Sequence, residues 1–156
     1  MQMKILGGGA LMVLGWLWFY LFVRQFLFNF FTAYPLIKKM QAAKDDLIAI
    51  GARRYTAVSV VSCAVVCAIV IAIVAIFCPW YFILCFFGGA LVALVMFLPL
   101  LGPSNRAMFD SFCSTYYRFV PDDELRTAMY NKKPSQMKVR LHDMGVSADF
   151  IPEFKK

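Results

Sequence analysis

Three runs of the chain, Ile5 to Val23, Ala57 to Phe77 and Tyr81 to Leu101, hold no charged side chain, and polar positions return only between and after them. A helix rises about 1.5 Å per residue, so roughly 20 such residues cross a hydrocarbon core about 30 Å thick. The pattern predicts an all-α integral membrane protein with three transmembrane helices. The first run is longer than a secretory h-region, has Lys4 as its only preceding basic side chain and is followed by no A-x-A site, so an uncleaved helix is expected.

Between the first two runs the pattern changes to an amphipathic one. Leu36, Ile37, Met40, Ala43, Leu47 and Ile48 recur at helical spacing with Lys38, Lys39, Lys44, Asp45 and Asp46 elsewhere on the projection, and Gly51 is the expected stop. After the third run, Phe109, Phe112, Cys113, Tyr116, Tyr117 and Val120 mark another amphipathic helix, with Ser104 as its expected N-cap. Val120-Pro121 interrupts it. Asp122-Asp123-Glu124 suits the start of a second tail helix, Lys132-Lys133 its end, and a third is expected from Ser135 to about Met144 before Gly145. The resulting organisation is a first span with an aromatic inner extension (1–34), an amphipathic helix and loop (35–56), a transmembrane hairpin (57–101) and a small helical tail (102–156).

Small residues suggest where helices approach one another. Gly8 and Gly15 share a face of the first span, Ala64, Ala68 and Ala72 form a stripe on the second, and Gly89 and Ala93 repeat the spacing on the third. Only Cys78-Pro79-Trp80 separates the second and third spans, so a tight antiparallel hairpin is the expected use of the last two stripes, with self-association as the second use.

Charge adds an orientation. The net charge of +7 divides into +2 for residues 1–33, +3 for 34–56 and +2 for 57–156, while the Cys78-Pro79-Trp80 connection carries none. Lys and Arg near span ends are retained on the cytoplasmic side, so the N-terminus is expected outside and the C-terminus in the cytoplasm, in a bacterial inner (cytoplasmic) membrane. The excess is modest everywhere, which favours membrane lipid as a partner over nucleic acid. Arg24 closes the first apolar run and is read as an interfacial anchor. If the membrane covered a register nearer Phe31, Arg24 and Asn29 would lie inside it, facing a partner helix or an aqueous path.

With 62% apolar and 16% charged residues, little is left for chemistry. The five cysteines include no C-x-x-C pair and there is one histidine, so no metal or other cofactor is expected. Cys63, Cys67 and Cys85 read as packing residues; Cys78 is the one placed for an intermolecular disulfide. His142-Asp143 is adjacent on a helix and therefore does not face itself, and no nucleotide-binding, metalloprotease or nucleophile-elbow motif is present. A non-enzymatic accessory or structural subunit of a larger membrane assembly is expected, with other subunits or further copies as partners and no small-molecule substrate. Its aromatic tail residues Phe109, Phe112, Tyr116 and Tyr117 are the expected partner interface. The alternative is a homo-oligomeric pore gated by the tail.

Overall fold

The computed structural model describes residues 2–154, with side chains from Gly7 onward. Lys155, Lys156 and the side chain of Ile5 lie outside the described residues. The chain is helical: α1 (Gln2–Trp18), α2 (Arg24–Phe28), α3 (Tyr34–Ala43), α4 (Ile50–Phe77), α5 (Trp80–Phe97), α6 (Arg106–Tyr116), α7 (Asp123–Tyr130) and α8 (Pro134–Asp143). Three helical stretches are long and apolar enough to cross a membrane: Gly7–Ala43, Ile50–Phe77 and Trp80–Leu100.

The first stretch does not stop at Pro35. Two π turns, Phe19–Val23 and Asn29–Ala33, join α1, α2 and α3 into one continuous helix, with the Arg24 N–H donating to Phe19 O and the Tyr34 N–H to Asn29 O. A π turn absorbs one extra residue without breaking the ladder. The second lies directly before Pro35, whose missing N–H and ring would otherwise conflict with the preceding turn. Gly51 likewise does not end a helix; it sits in the first turn of α4, and the preceding helix ends at Ala43.

The chain divides into two compact units. The first is Met1–Leu27 with Ser59–Leu100. Within it α1 lies along α5, and positions rise together in both helices: Gly7 faces Phe82, Gly8 faces Cys85, Gly89 faces Met12, and Phe19 meets Phe97. The two run parallel. Phe19, Ala90 and Ala93 form the buried centre, with Trp16, Trp18, Val23, Leu27, Leu94 and Phe97 packed around it. The short connection expected between the second and third spans is present, since Cys78 and Pro79 alone separate α4 from α5. The side-by-side hairpin is not. From Ser59 onward Val74 is the one buried residue of α4 among those described. A two-residue link fixes where two helices meet at one end; whether they lie together depends on which backbones can touch, and here the glycine faces of α1 and α5 do so.

The second unit is Phe28–Val58 with Leu101–Lys156. Leu36, Ile37, Met40, Leu47 and Ile48 from its first segment are buried in the same unit as Phe109, Phe112, Cys113, Tyr116, Leu125, Met129, Met137 and Leu141 from the tail. The tail helices begin near their expected places. Asn105 rather than Ser104 caps α6, accepting the Ala107 N–H at 2.9 Å, and Asp122 caps α7 through the Leu125 N–H at 2.8 Å. Gly145, at φ +69°, ends the segment after α8 in a left-handed conformation that suits glycine.

One expectation is overturned here. Phe109 and Phe112 are 1% exposed and Tyr116 is 0% exposed, so they form core and not a partner interface; Tyr117 is half-buried and meets Tyr130 in an edge contact at 5.2 Å. An aromatic stripe on a helix reads the same whether it is covered by another protein or by a distant segment of its own chain. Tyr55 and Thr56 cover Tyr116, and Phe154 of the tail itself covers Phe109.

Candidate functional site

With no ligand chemistry legible in the sequence, the candidate sites are surfaces of contact. The closest approach of the first unit is the crossing of α1 and α5. A methyl group added to Gly15 would collide with the Phe86 carbonyl, and one added to Gly89 with the Met12 carbonyl, so each backbone rests on the other where a Cβ is missing. Gly8 is looser, its added methyl meeting Cys85 Sγ at 3.4 Å, and Ala93 is fully buried one turn beyond Gly89. Gly8, Gly15, Gly89 and Ala93 therefore fall together on one interface inside the chain. Ala64, Ala68 and Ala72 do not join them. All three are exposed on α4, among exposed Val61, Val65, Ile69, Ile71 and Ile73.

Beside the α1–α5 crossing is an apolar groove of about 620 Å³, lined by Trp18, Phe19, Val23 and Leu27 on one wall and Leu84, Phe87, Leu91 and Leu94 on the other. The Trp18 indole N–H is enclosed and lacks a hydrogen-bond partner among the described residues. Arg24 lies over the Tyr20 ring at 4.9 Å and the Phe97 ring at 5.8 Å. Such cation–π contact holds a guanidinium where water is scarce. Asn29 is 1% exposed and Thr32 is fully buried, its hydroxyl donating to Leu101 O at 3.1 Å. Asn29 is enclosed within the second unit.

The second unit has two polar arrangements. Thr56 Oγ1 donates to Ala52 O at 2.9 Å and lies 2.8 Å from the Tyr116 hydroxyl. The threonine has one proton, already committed to Ala52, so Tyr116 is the donor of the second bond. Burial raises the tyrosine's pKa, with the Thr56 bond opposing it, and the hydroxyl stays protonated. Arg140 forms a fork on Asp122, at 2.7 and 3.1 Å, and reaches Glu124 at 2.9 Å, tying α8 to the start of α7. The guanidinium and the Leu125 N–H hold Asp122 below the usual carboxylate range, and Asp122 in turn raises Arg140. Along α7 and α8 runs an open groove of about 550 Å³ that includes Asp123, Thr127, Ser135, Gln136 and Asp143. Asp123 stands in the first turn of α7 and pairs with Arg126 at 3.0 Å.

His142 and Asp143 are both exposed. Among the described residues no group of three or more His, Cys, Asp and Glu is placed to hold a metal ion. Cys63, Cys67, Cys78 and Cys85 are half-buried, whereas Cys113 is buried and its thiol is pushed up to about 12 by that burial, aided by nearby Asp110. The features missed from sequence are the Thr56–Tyr116 and Asp122–Arg140 pairs, which join residues 60 and 18 positions apart. No family model, curated protein or solved structure matches this chain.

Proposed function

We propose that the chain is a non-enzymatic accessory subunit that works by assembly in a membrane, and that α4 is its docking element. The observation that carries this reading is the second span itself. Its membrane window has a mean hydropathy of 3.2, yet 6% of it is buried inside the chain, and its Ala64, Ala68 and Ala72 stripe is exposed. Lipid tails are as apolar as leucine, so exposed Val and Ile are neutral; an unused row of small residues is what a second helix needs for close backbone contact. The first and third spans have already used Gly15 and Gly89 on each other, and the tail aromatics are occupied by the chain's own core. In this reading the second unit, which holds every Lys and Arg except Lys4 and Arg24, faces the cytoplasm of a bacterial cell.

The test is the mass and composition of the gently solubilised complex, for the native chain and for Ala64→Leu/Ala68→Leu/Ala72→Leu. The expected result is a complex larger than one copy, with partners lost in the triple variant while α1–α5 packing persists. Stoichiometric other proteins make the chain a subunit of their assembly, and copies of this chain alone make the partner a second copy. A single copy in the native state, or a triple variant that keeps its complex, would overturn the proposal.

A further inference from the structure

The ion pairs of the second unit are unevenly distributed. Arg106, Arg126, Lys138 and Arg140 are paired with Asp110, Asp123, Glu153, Asp122 and Glu124. Among the described residues none of these pairs involves Lys38, Lys39, Arg53 or Arg54, and all four are exposed. Asp45 and Asp46 are the only acids in the same stretch of chain, and they follow α3 in the loop.

Arg53 and Arg54 lie just before the second apolar run, and Lys38 and Lys39 lie just beyond the level at which the third one ends. Thr32 is tied to Leu101 at the end of the third apolar run, and Lys38 and Lys39 follow it by six and seven residues on the same helix, about 10 Å along the axis. Arg53 and Arg54 precede the second apolar run, which opens at Ala57, by roughly 6 Å of helix. A headgroup layer is roughly 5–8 Å deep on each side of the hydrocarbon, and long basic side chains reach back toward it. An exposed tyrosine stands between charge and hydrocarbon in each case: Tyr34 after exposed Phe30 and Phe31, and Tyr55 before exposed Val58. The order apolar, tyrosine, cation is that of a bilayer interface.

Arg53 and Arg54 are also badly placed for the protein alone. They stand at the beginning of α4, whose first turn holds no acid, where the positive end of the helix repels cations. An anion at that position answers both the dipole and the side chains.

We propose that Lys38, Lys39, Arg53 and Arg54 bind the headgroups of anionic phospholipids, so that the chain draws an acidic lipid annulus around the boundary of its second unit. The proposal rests on the membrane-spanning character of the helices and not on α4-mediated assembly. A basic side chain near an anionic surface contributes about fivefold in local lipid enrichment at physiological salt.

The full chain, reconstituted in phosphatidylcholine, is probed with spin-labelled phosphatidylglycerol and, separately, spin-labelled phosphatidylcholine, and the fraction of each label restrained by the protein is compared. The expected result is a several-fold preference for phosphatidylglycerol that declines with added salt. It falls to near parity in Lys38→Gln/Lys39→Gln/Arg53→Gln/Arg54→Gln and persists in the control Lys132→Gln/Lys133→Gln. Equal restraint of the two lipids by the native chain, a preference insensitive to salt, or a preference removed by the control and kept by the quadruple variant would overturn it. The salt dependence is read on the native chain, so the proposal stays open to refutation even if the quadruple variant folds poorly.

Discussion

Gly15 and Gly89 each place a bare backbone against the carbonyl of the other's helix, Gly15 against Phe86 and Gly89 against Met12. This reciprocal contact is why α1 and α5, which are far apart in sequence, are the packed pair of the first unit. In a membrane, where burying apolar surface drives little, such close approach is the main source of helix–helix attraction.

Gly15→Ala and Gly89→Ala should therefore separate the two helices. Overpacking of this kind costs about 1–3 kcal/mol, and neither helix can yield because the opposing atoms are backbone. Gly9 and Gly88 have open space around an added methyl, so Gly9→Ala and Gly88→Ala are the matched controls and should be near neutral. Thermal unfolding in detergent measures the difference; equal behaviour of the two sets would refute the contact.

The Thr56–Tyr116 bond predicts an asymmetric pair of substitutions. Thr56→Val leaves the Tyr116 hydroxyl buried with no acceptor, a cost of about 1–3 kcal/mol, whereas Tyr116→Phe removes the donor and leaves Thr56 still bonded to Ala52. Thr56→Val should be the more destabilising, and Thr56→Val/Tyr116→Phe should be milder than the sum of the single changes. Denaturant unfolding of the four proteins decides it.

Asp122 predicts a dependence on acid. Its folded-state pKa is depressed by Arg140 and by the Leu125 N–H, so the carboxylate's contribution is fully present above its unfolded value, about 3.9, and is lost as pH falls through the lower folded value. The native protein should lose stability across that acid range more steeply than Asp122→Asn. Asp122→Ala also removes the α7 cap, a change of about 1 kcal/mol. Helix content followed by circular dichroism from neutral pH downward provides the measurement.

Cys113 should report on the core of the second unit. Buried and with a thiol pushed up to about 12, it carries almost no thiolate at neutral pH. In a variant with Cys63, Cys67, Cys78 and Cys85 replaced by serine, maleimide labelling of Cys113 should be negligible in the folded protein and rapid in denaturant. Rapid labelling of the folded chain would show that the tail aromatics do not close over it.

That the chain is helical, with three helices long and apolar enough to cross a membrane, is legible in the sequence because each helix depends on residues close together in the chain. Apolar length, helical periodicity and the positions of Pro and Gly act locally. Asp122 is expected at a helix start and caps α7, whereas Gly89 and Ala93 are expected to face the second span in a hairpin and instead lie with Gly8 and Gly15 between α1 and α5. Pro35 stands inside a continuous helix because the preceding π turn lets the helix pass it.

What the sequence determined by itself was a chain with three helices long and apolar enough to cross a membrane and a helical tail, since transfer of apolar residues out of water and backbone hydrogen bonding within each helix need no distant partner. Tertiary structure decided the pairing. It joined α1 to α5 and left the Ala64, Ala68 and Ala72 stripe open, and it buried Phe109, Phe112 and Tyr116 in the second unit, with Tyr116 against Tyr55 and Thr56. A stripe of glycine or phenylalanine specifies that something must come close, while its partner is selected by shape complementarity among all the surfaces the folded chain presents.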